Sequence, residues 1–98
     1  MSAPDIYMVC YDIRDDTRLR KVYKTVRGFG EALQYSVFRC SLSELQLAQL
    51  RDALVGIVEP TVDQVLFVRL GAANAVRTWQ VSTVGVPIPD FKTVVHIF

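Results

Sequence analysis

The sequence predicts a small α+β domain in which one antiparallel sheet carries its helices on a single side. Three observations predict it. Strand-type and helix-type apolar spacing alternate along the chain. The strand-type runs are apolar on both of their alternating faces. Finally, 98 residues with 51% hydrophobic side chains suffice for one core and no more. A chain of this length buries only about two-thirds of the surface it exposes when unfolded. Its apolar fraction exceeds what so small a core absorbs, so part of that surface is expected to be covered by another chain.

The first element is read at Ile6–Ile13 (IYMVCYDI), with Ile6, Met8 and Cys10 on one face and Tyr7, Val9, Tyr11 and Ile13 on the other. A strand apolar on both faces belongs in the middle of a sheet covered twice. From Asp15 to about Phe29, Leu19, Val22, Tyr23 and Val26 follow helical spacing; Asp15 or Asp16 supplies the N-cap and complements the helix dipole. The Gly28 to Gly30 segment ends that helix.

Glu31–Cys40 (EALQYSVFRC) reads as strand, but it has no Gly, Pro or Asn-Gly pair to place a hairpin, so one bent strand and two short strands both fit. Ser41 or Ser43 then caps a second helix running to about Val58. Ser41 to Glu44 has capping-box spacing, Leu45, Leu47, Leu50, Leu54 and Ile57 form the apolar side, and Pro60 marks the exit. Val62–Leu70 (VDQVLFVRL) is a further strand apolar on both faces. Beyond it the pattern predicts a short helix over Ala72–Trp79, a loop over Val81–Pro89 and a last strand over Phe91–Phe98.

This order fits a split βαβ unit, the ferredoxin-like βαββαβ sandwich with an extra C-terminal strand, better than a doubly wound sheet. Both helices of such a unit cover one face of the sheet. Because the strands are apolar on the opposite face too, the expectation is a homodimer with sheets face to face. Residues 1–98 are read as one domain, with its core at about 5–70 and residues 71–98 serving dimer or partner contacts.

Net charge is +1, so only the distribution of charge can argue for a partner. Six of the eleven Lys and Arg residues fall between Arg14 and Arg27. Arg20, Lys24 and Arg27 lie on one flank of the first helix and Arg18 and Lys21 on the other. That arrangement suits a phosphate-tracking surface; an ordinary solvated face, partly neutralised by Asp15 and Asp16, is the alternative. Cys10 and Cys40 sit in apolar stretches without partners at metal-ligand spacing, which predicts reduced, buried thiols in a cytoplasmic protein. No apolar run reaches the ~18 residues of a membrane span and the first residues are polar, so neither a membrane helix nor a signal peptide is expected.

Asp12 is the carboxylate at the end of a strand that otherwise reads as buried. Hard divalent ions take oxygen ligands of this kind and keep several waters. A polar turn residue bonding the next loop is the competing reading. One Asp does not hold a metal alone, whereas two copies meeting across a dimer axis could. Arg39 is a charge within apolar SVFRC beside Phe38, a pair that either touches nucleic acid or divides into a core Phe and an Arg on the wet side of a strand. His96 and Trp79 read as packing residues. There is no Walker-type loop, Gly-rich dinucleotide fingerprint or Cys/His cluster, and neither Ser36 nor Cys40 has a histidine nearby in sequence to act as its base.

Together, YDIRDDTRLRKVYK at Tyr11–Lys24, LQYSVFRC at Leu33–Cys40 and VDQVLFVRL at Val62–Leu70 resemble the CRISPR-associated protein 2 family. The resemblance spans about Ile6 to Leu70. It implies a ferredoxin-like homodimer, with the C-terminal strand of each chain reaching toward its partner's sheet. The function it implies is adaptor work in spacer acquisition, binding duplex prespacer DNA between dimers of the CRISPR integrase, CRISPR-associated protein 1. Several family members are also described as magnesium-dependent endonucleases of RNA or DNA. In those the aspartate matching Asp12 is the Mg2+ ligand and catalytic group, one from each subunit. Arg14, Arg18, Arg20 and Arg39 carry over as phosphate contacts. A ligand-sensing ferredoxin-like regulatory module is the reading from another class; it would want a polar pocket and no basic helix.

Overall fold

The computed structural model describes residues 3–75, 80–87 and 94–97, and the side chains of all of these except residues 80, 81 and 94–97. Its first six elements are β1 (Asp5–Asp12), α1 (Asp16–Arg27), β2 (Gly30–Gln34), β3 (Val37–Leu42), α2 (Glu44–Val55) and β4 (Gln64–Ala72). They make an antiparallel sheet in the order β2-β3-β1-β4. Val22 and Val26 of α1 and Leu50 and Leu54 of α2 share one core with Val9, Tyr11, Phe38, Cys40 and Leu42, so both helices lie on the same face of the sheet. This is the ferredoxin-like arrangement that the element order predicts.

Local chemistry sets the element ends. Asp15 caps α1 by accepting from the Arg18 N–H. For α2 the capping box is Ser43 with Gln46, not Ser41 with Glu44: the Ser43 hydroxyl accepts from Gln46 N and the Gln46 carboxamide accepts from Ser43 N. Ser41 is still in β3, and extended backbone there cannot start a helix. The helix closes at Gly56, ahead of the exit expected from Pro60. Leu45, read as part of its apolar side, is 68% exposed.

Glu31–Cys40 resolves into two strands with a turn at Tyr35 and Ser36. Ser36 is only a weak turn former, and neither Gly, Pro, Asn nor Asp stands there. The reversal is held from outside instead: Tyr11 of β1 donates its N–H to the Ser36 carbonyl and its hydroxyl to the Tyr35 carbonyl. Register is pinned by Phe38 and Cys40, both without exposed surface. A one-residue slip would turn them to the other face of the sheet and forfeit burial worth about 1.5–3 kcal/mol for the Phe ring. Gly30 lets β2 approach β3 closely, because a Cβ there would stand 2.4 Å from the Arg39 carbonyl oxygen.

Among the described residues no helix covers the opposite face. Met8 and Cys10 of β1 stand in register with Arg39 and Val37 of β3 and with Val68 and Leu66 of β4. Leu66 and Val68 are 47% and 44% exposed. The double-sided apolar pattern thus corresponds to a helix-covered face and one that stays open at Leu66 and Val68, although Ile6 on that side of β1 is buried.

Beyond β4 the chain departs from expectation. Ala72 closes the strand and 73–75 form a turn; 76–79, the rest of the expected short helix including Trp79, lie outside the described residues. The segment read as loop begins with a strand, β5 (Gln80–Thr83), which pairs in parallel with β6 (Val94–Ile97). Both belong to a second, two-stranded sheet, so the C-terminal part supplies two strands and not one. Strand recognition there needed the partner strand, since four residues carry too little periodicity to reveal it. His96 lies in β6, and its side chain is outside the described ones.

Candidate nucleic-acid and metal-binding surface

Alternation along β1 puts Asp12 on the same face as Met8 and Cys10, at the end of the open apolar surface. Its register partner on β4 is Gln64, also exposed. The Asp12 carboxylate is 65% exposed and, among the described residues, makes one ion pair, with the Arg14 guanidinium at 3.3 Å. As a hard, accessible oxygen donor it could contribute one ligand to a divalent cation such as Mg2+. Among the described residues no three His, Cys, Asp or Glu side chains converge as a metal site, so one protomer offers this ion a single carboxylate.

Directly behind it lies a carboxylate that the sequence pattern did not single out. Asp63, in the turn before β4, has no exposed side-chain surface. It accepts Nε and Nη2 of Arg18 at 2.7 and 3.2 Å, and the backbone N–H groups of Arg14 and Glu59 at 2.9 Å each. The Arg18 hydrogen bonds, helped by the two backbone donors against the opposing effect of burial, hold its carboxyl well below the usual carboxylate range. Asp63 therefore fixes the loop that carries Arg14 and clamps the start of α1 to the start of β4. A lone Asp in TVDQVLF gives no local signal of this, because Arg18 and Arg14, the partners it ties down, lie 45 and 49 residues away.

Since the folded-state pKa is depressed, this clamp stabilises fully above the unfolded value of about 3.9 and fades as pH falls toward the folded one. Asp63→Asn is expected to melt clearly below the parent at pH 7, with the gap narrowing below about pH 4. Thermal unfolding followed by circular dichroism at both pH values checks this; equal melting at pH 7 would show the clamp to be inert.

The basic residues divide three ways. Arg14, Arg20, Lys21, Lys24 and Arg27 are exposed, and of these only Arg14 makes an ion pair among the described residues. Arg18 is committed to Asp63 and 29% exposed, which makes it a structural cation first. Arg39 is half-buried on the open face, in register with Met8 and Glu31. Phe38 is in the core and has no surface to offer a base. Arg20, Lys24 and Arg27, spaced i, i+4 and i+7, form a continuous cationic edge on the helix layer, on the side of the sheet away from Asp12.

Neither cysteine is poised for chemistry. Both are free; burial pushes the Cys40 thiol up to about 11 and raises that of Cys10 as well. No helix among the described residues is long and apolar enough to cross a membrane.

The family model described as CRISPR associated protein Cas2 matches residues 5–78. A Geobacter sulfurreducens protein named CRISPR-associated endoribonuclease Cas2 is 41% identical over 80 residues, which cover 82% of this chain and 83% of the relative. Among solved structures, Streptococcus pyogenes Cas2 is 30% identical with a TM-score of 0.63, covering 67% of this chain and 86% of its own. A further Cas2 crystal structure gives a TM-score of 0.75 at 26% identity, over 94% of this chain and 99% of its own.

Proposed function

The chain belongs to the CRISPR associated protein Cas2 family, and we propose on that footing that it is a dimeric adaptor of CRISPR spacer acquisition in the cytoplasm. Two copies pack open face to open face, bind duplex prespacer DNA and bridge dimers of the integrase, CRISPR-associated protein 1. The observation that carries this reading is the two-sidedness of the sheet. One side offers half-exposed Leu66 and Val68 beside Met8 and Cys10, and the other offers an outward cationic helix edge. Face-to-face packing hides the first and leaves the second on the outside of the dimer, where it can follow phosphates.

The same packing carries two Asp12 side chains on the joined faces. Together they are suited to holding Mg2+, which when bound supplies an activated water and neutralises charge on a phosphodiester oxygen. Magnesium-dependent cleavage of single-stranded RNA or double-stranded DNA is therefore the second reading, favoured by the exposure of Asp12 and by the endoribonuclease name of the Geobacter sulfurreducens relative. It ranks below the adaptor role because one carboxylate per protomer is a sparse donor set for positioning ion, water and leaving oxygen together.

Asp12→Ala separates the two. Spacer integration, assayed with the cognate integrase, is expected to survive, while any magnesium-dependent cleavage falls on the order of 100-fold or more. Loss of integration with cleavage intact would reverse the ranking. Charge reversal at Arg18 is the wrong companion experiment, because it would expel the counter-charge of Asp63 and test folding instead.

A further inference from the structure

The β2–β3 turn carries an aromatic residue where turns usually carry Gly, Asn or Asp, and Tyr35 there is 50% exposed. Its ring is nevertheless held. It lies on Tyr23 of α1 with centroids 4.4 Å apart and planes 6° from parallel, and Tyr23 in turn meets buried Phe38 edge-on at 5.6 Å. Tyr11 fixes the turn itself through its hydroxyl and N–H. With one face of Tyr35 covered by Tyr23, its exposure belongs to the other face and the edge.

Charge surrounds this pair. Arg20 and Arg27 stand at i−3 and i+4 from Tyr23, on the same flank of α1, and neither makes an ion pair among the described residues. Because Cys10 pairs with Val37, β1 ends beside the turn, and Tyr35 shares one end of the sheet with Asp12. A rigid, open aromatic face bordered by uncompensated guanidinium groups fits a flat π-system that brings its own anionic charge.

We infer that Tyr35, backed by Tyr23, is a stacking platform for an unpaired nucleobase of the nucleic acid that runs along α1. The inference rests on the nucleic-acid reading above and adds a preference to it. Bases inside a duplex have both faces occupied by their neighbours, so only an overhang or a single strand reaches the platform. The nucleotide stacked there has its phosphate between Arg20 and Arg27.

The test measures fluorescence anisotropy of full-length protein with four probes: a blunt DNA duplex, the same duplex with a DNA overhang, with an RNA overhang, and with an abasic overhang. Unmodified protein is expected to prefer a base-bearing overhang to the blunt end by about 5- to 100-fold, and the DNA and RNA arms show which strand supplies the base. The abasic overhang and Tyr35→Leu each abolish that preference; Tyr35→Phe and Tyr35→Trp keep it, and none of the three variants changes blunt-duplex affinity. A 2-aminopurine in the overhang reads stacking on the unaltered protein directly, as quenching, should Tyr35→Leu fold poorly. Overhang preference persisting in folded Tyr35→Leu overturns the platform, as does unquenched 2-aminopurine. Salt-sensitive duplex binding without any overhang preference overturns the platform and leaves the adaptor reading standing. Failure of every probe to bind overturns both.

Discussion

Reversing the cationic edge of α1 with Arg20→Glu, Lys24→Glu and Arg27→Glu together is expected to weaken duplex DNA binding by on the order of 100-fold or more near 0.1 M salt. The reason is the density of phosphate charge. Each phosphate contact releases counterions and contributes about 0.9 to the slope of log affinity against log salt, so losing three per protomer flattens the slope as well as lowering the affinity. All three side chains are exposed, and none is paired among the described residues, so their removal leaves no stranded partner in the protein. Lys24 and Arg27 also sit in the last turn of α1, where positive charge complements the helix dipole. Glutamine at the same three positions removes the phosphate contacts without placing negative charge at the helix C-terminus, so a loss of affinity with glutamine is not due to an adverse dipole interaction. Binding titrations at several salt concentrations measure the outcome. An unchanged affinity and slope would mean that α1 is a solvated face and nothing more.

The second large effect is expected on the open face. Val68→Asp with Leu66→Asp places two carboxylates per protomer where two copies meet, removing apolar contact and opposing like charges across the joint. Several kcal/mol are lost in such a juxtaposition, which weakens self-association by on the order of 100- to 1,000-fold. The protomer itself tolerates the change, because Leu66 and Val68 are already 47% and 44% exposed within the single chain. Sedimentation or light scattering over a concentration series follows the shift from dimer to monomer. Separating the protomers also separates the Asp12 pair, so any magnesium-dependent cleavage should vanish with the dimer although Asp12 is intact. Unaltered protein that stays monomeric at high concentration would remove the face-to-face arrangement and the shared metal site with it.

Both of these surfaces are visible in the amino-acid pattern. Apolar alternation on both faces of IYMVCYDI and VDQVLFVRL shows a second apolar side, and the spacing of Arg20, Lys24 and Arg27 shows a helix edge. Each is a relation among neighbours a few residues apart. Asp12 is conspicuous for the same reason, as the carboxylate ending an apolar run. Arg18 misleads by this standard: its spacing places it with the basic residues, whereas Asp63, 45 residues later, holds it through Nε and Nη2. Phe38 beside Arg39 misleads in the other direction, since strand alternation sends the ring into the core and the guanidinium to the open face.

The sequence by itself determined the α+β class, the two helices and the strands β1 and β4, the apolar character of both sheet faces and the place of Asp12 at a strand end. Periods of 2 and 3.6 residues and side-chain caps are short-range properties, written wherever the neighbours are. Only the tertiary structure decided the turn at Tyr35, the burial of Asp63 against Arg18 and the stacking of Tyr35 on Tyr23. In each case the partner comes from a distant stretch of chain, and the energy of the contact exists only after the sheet order β2-β3-β1-β4 has brought the two together.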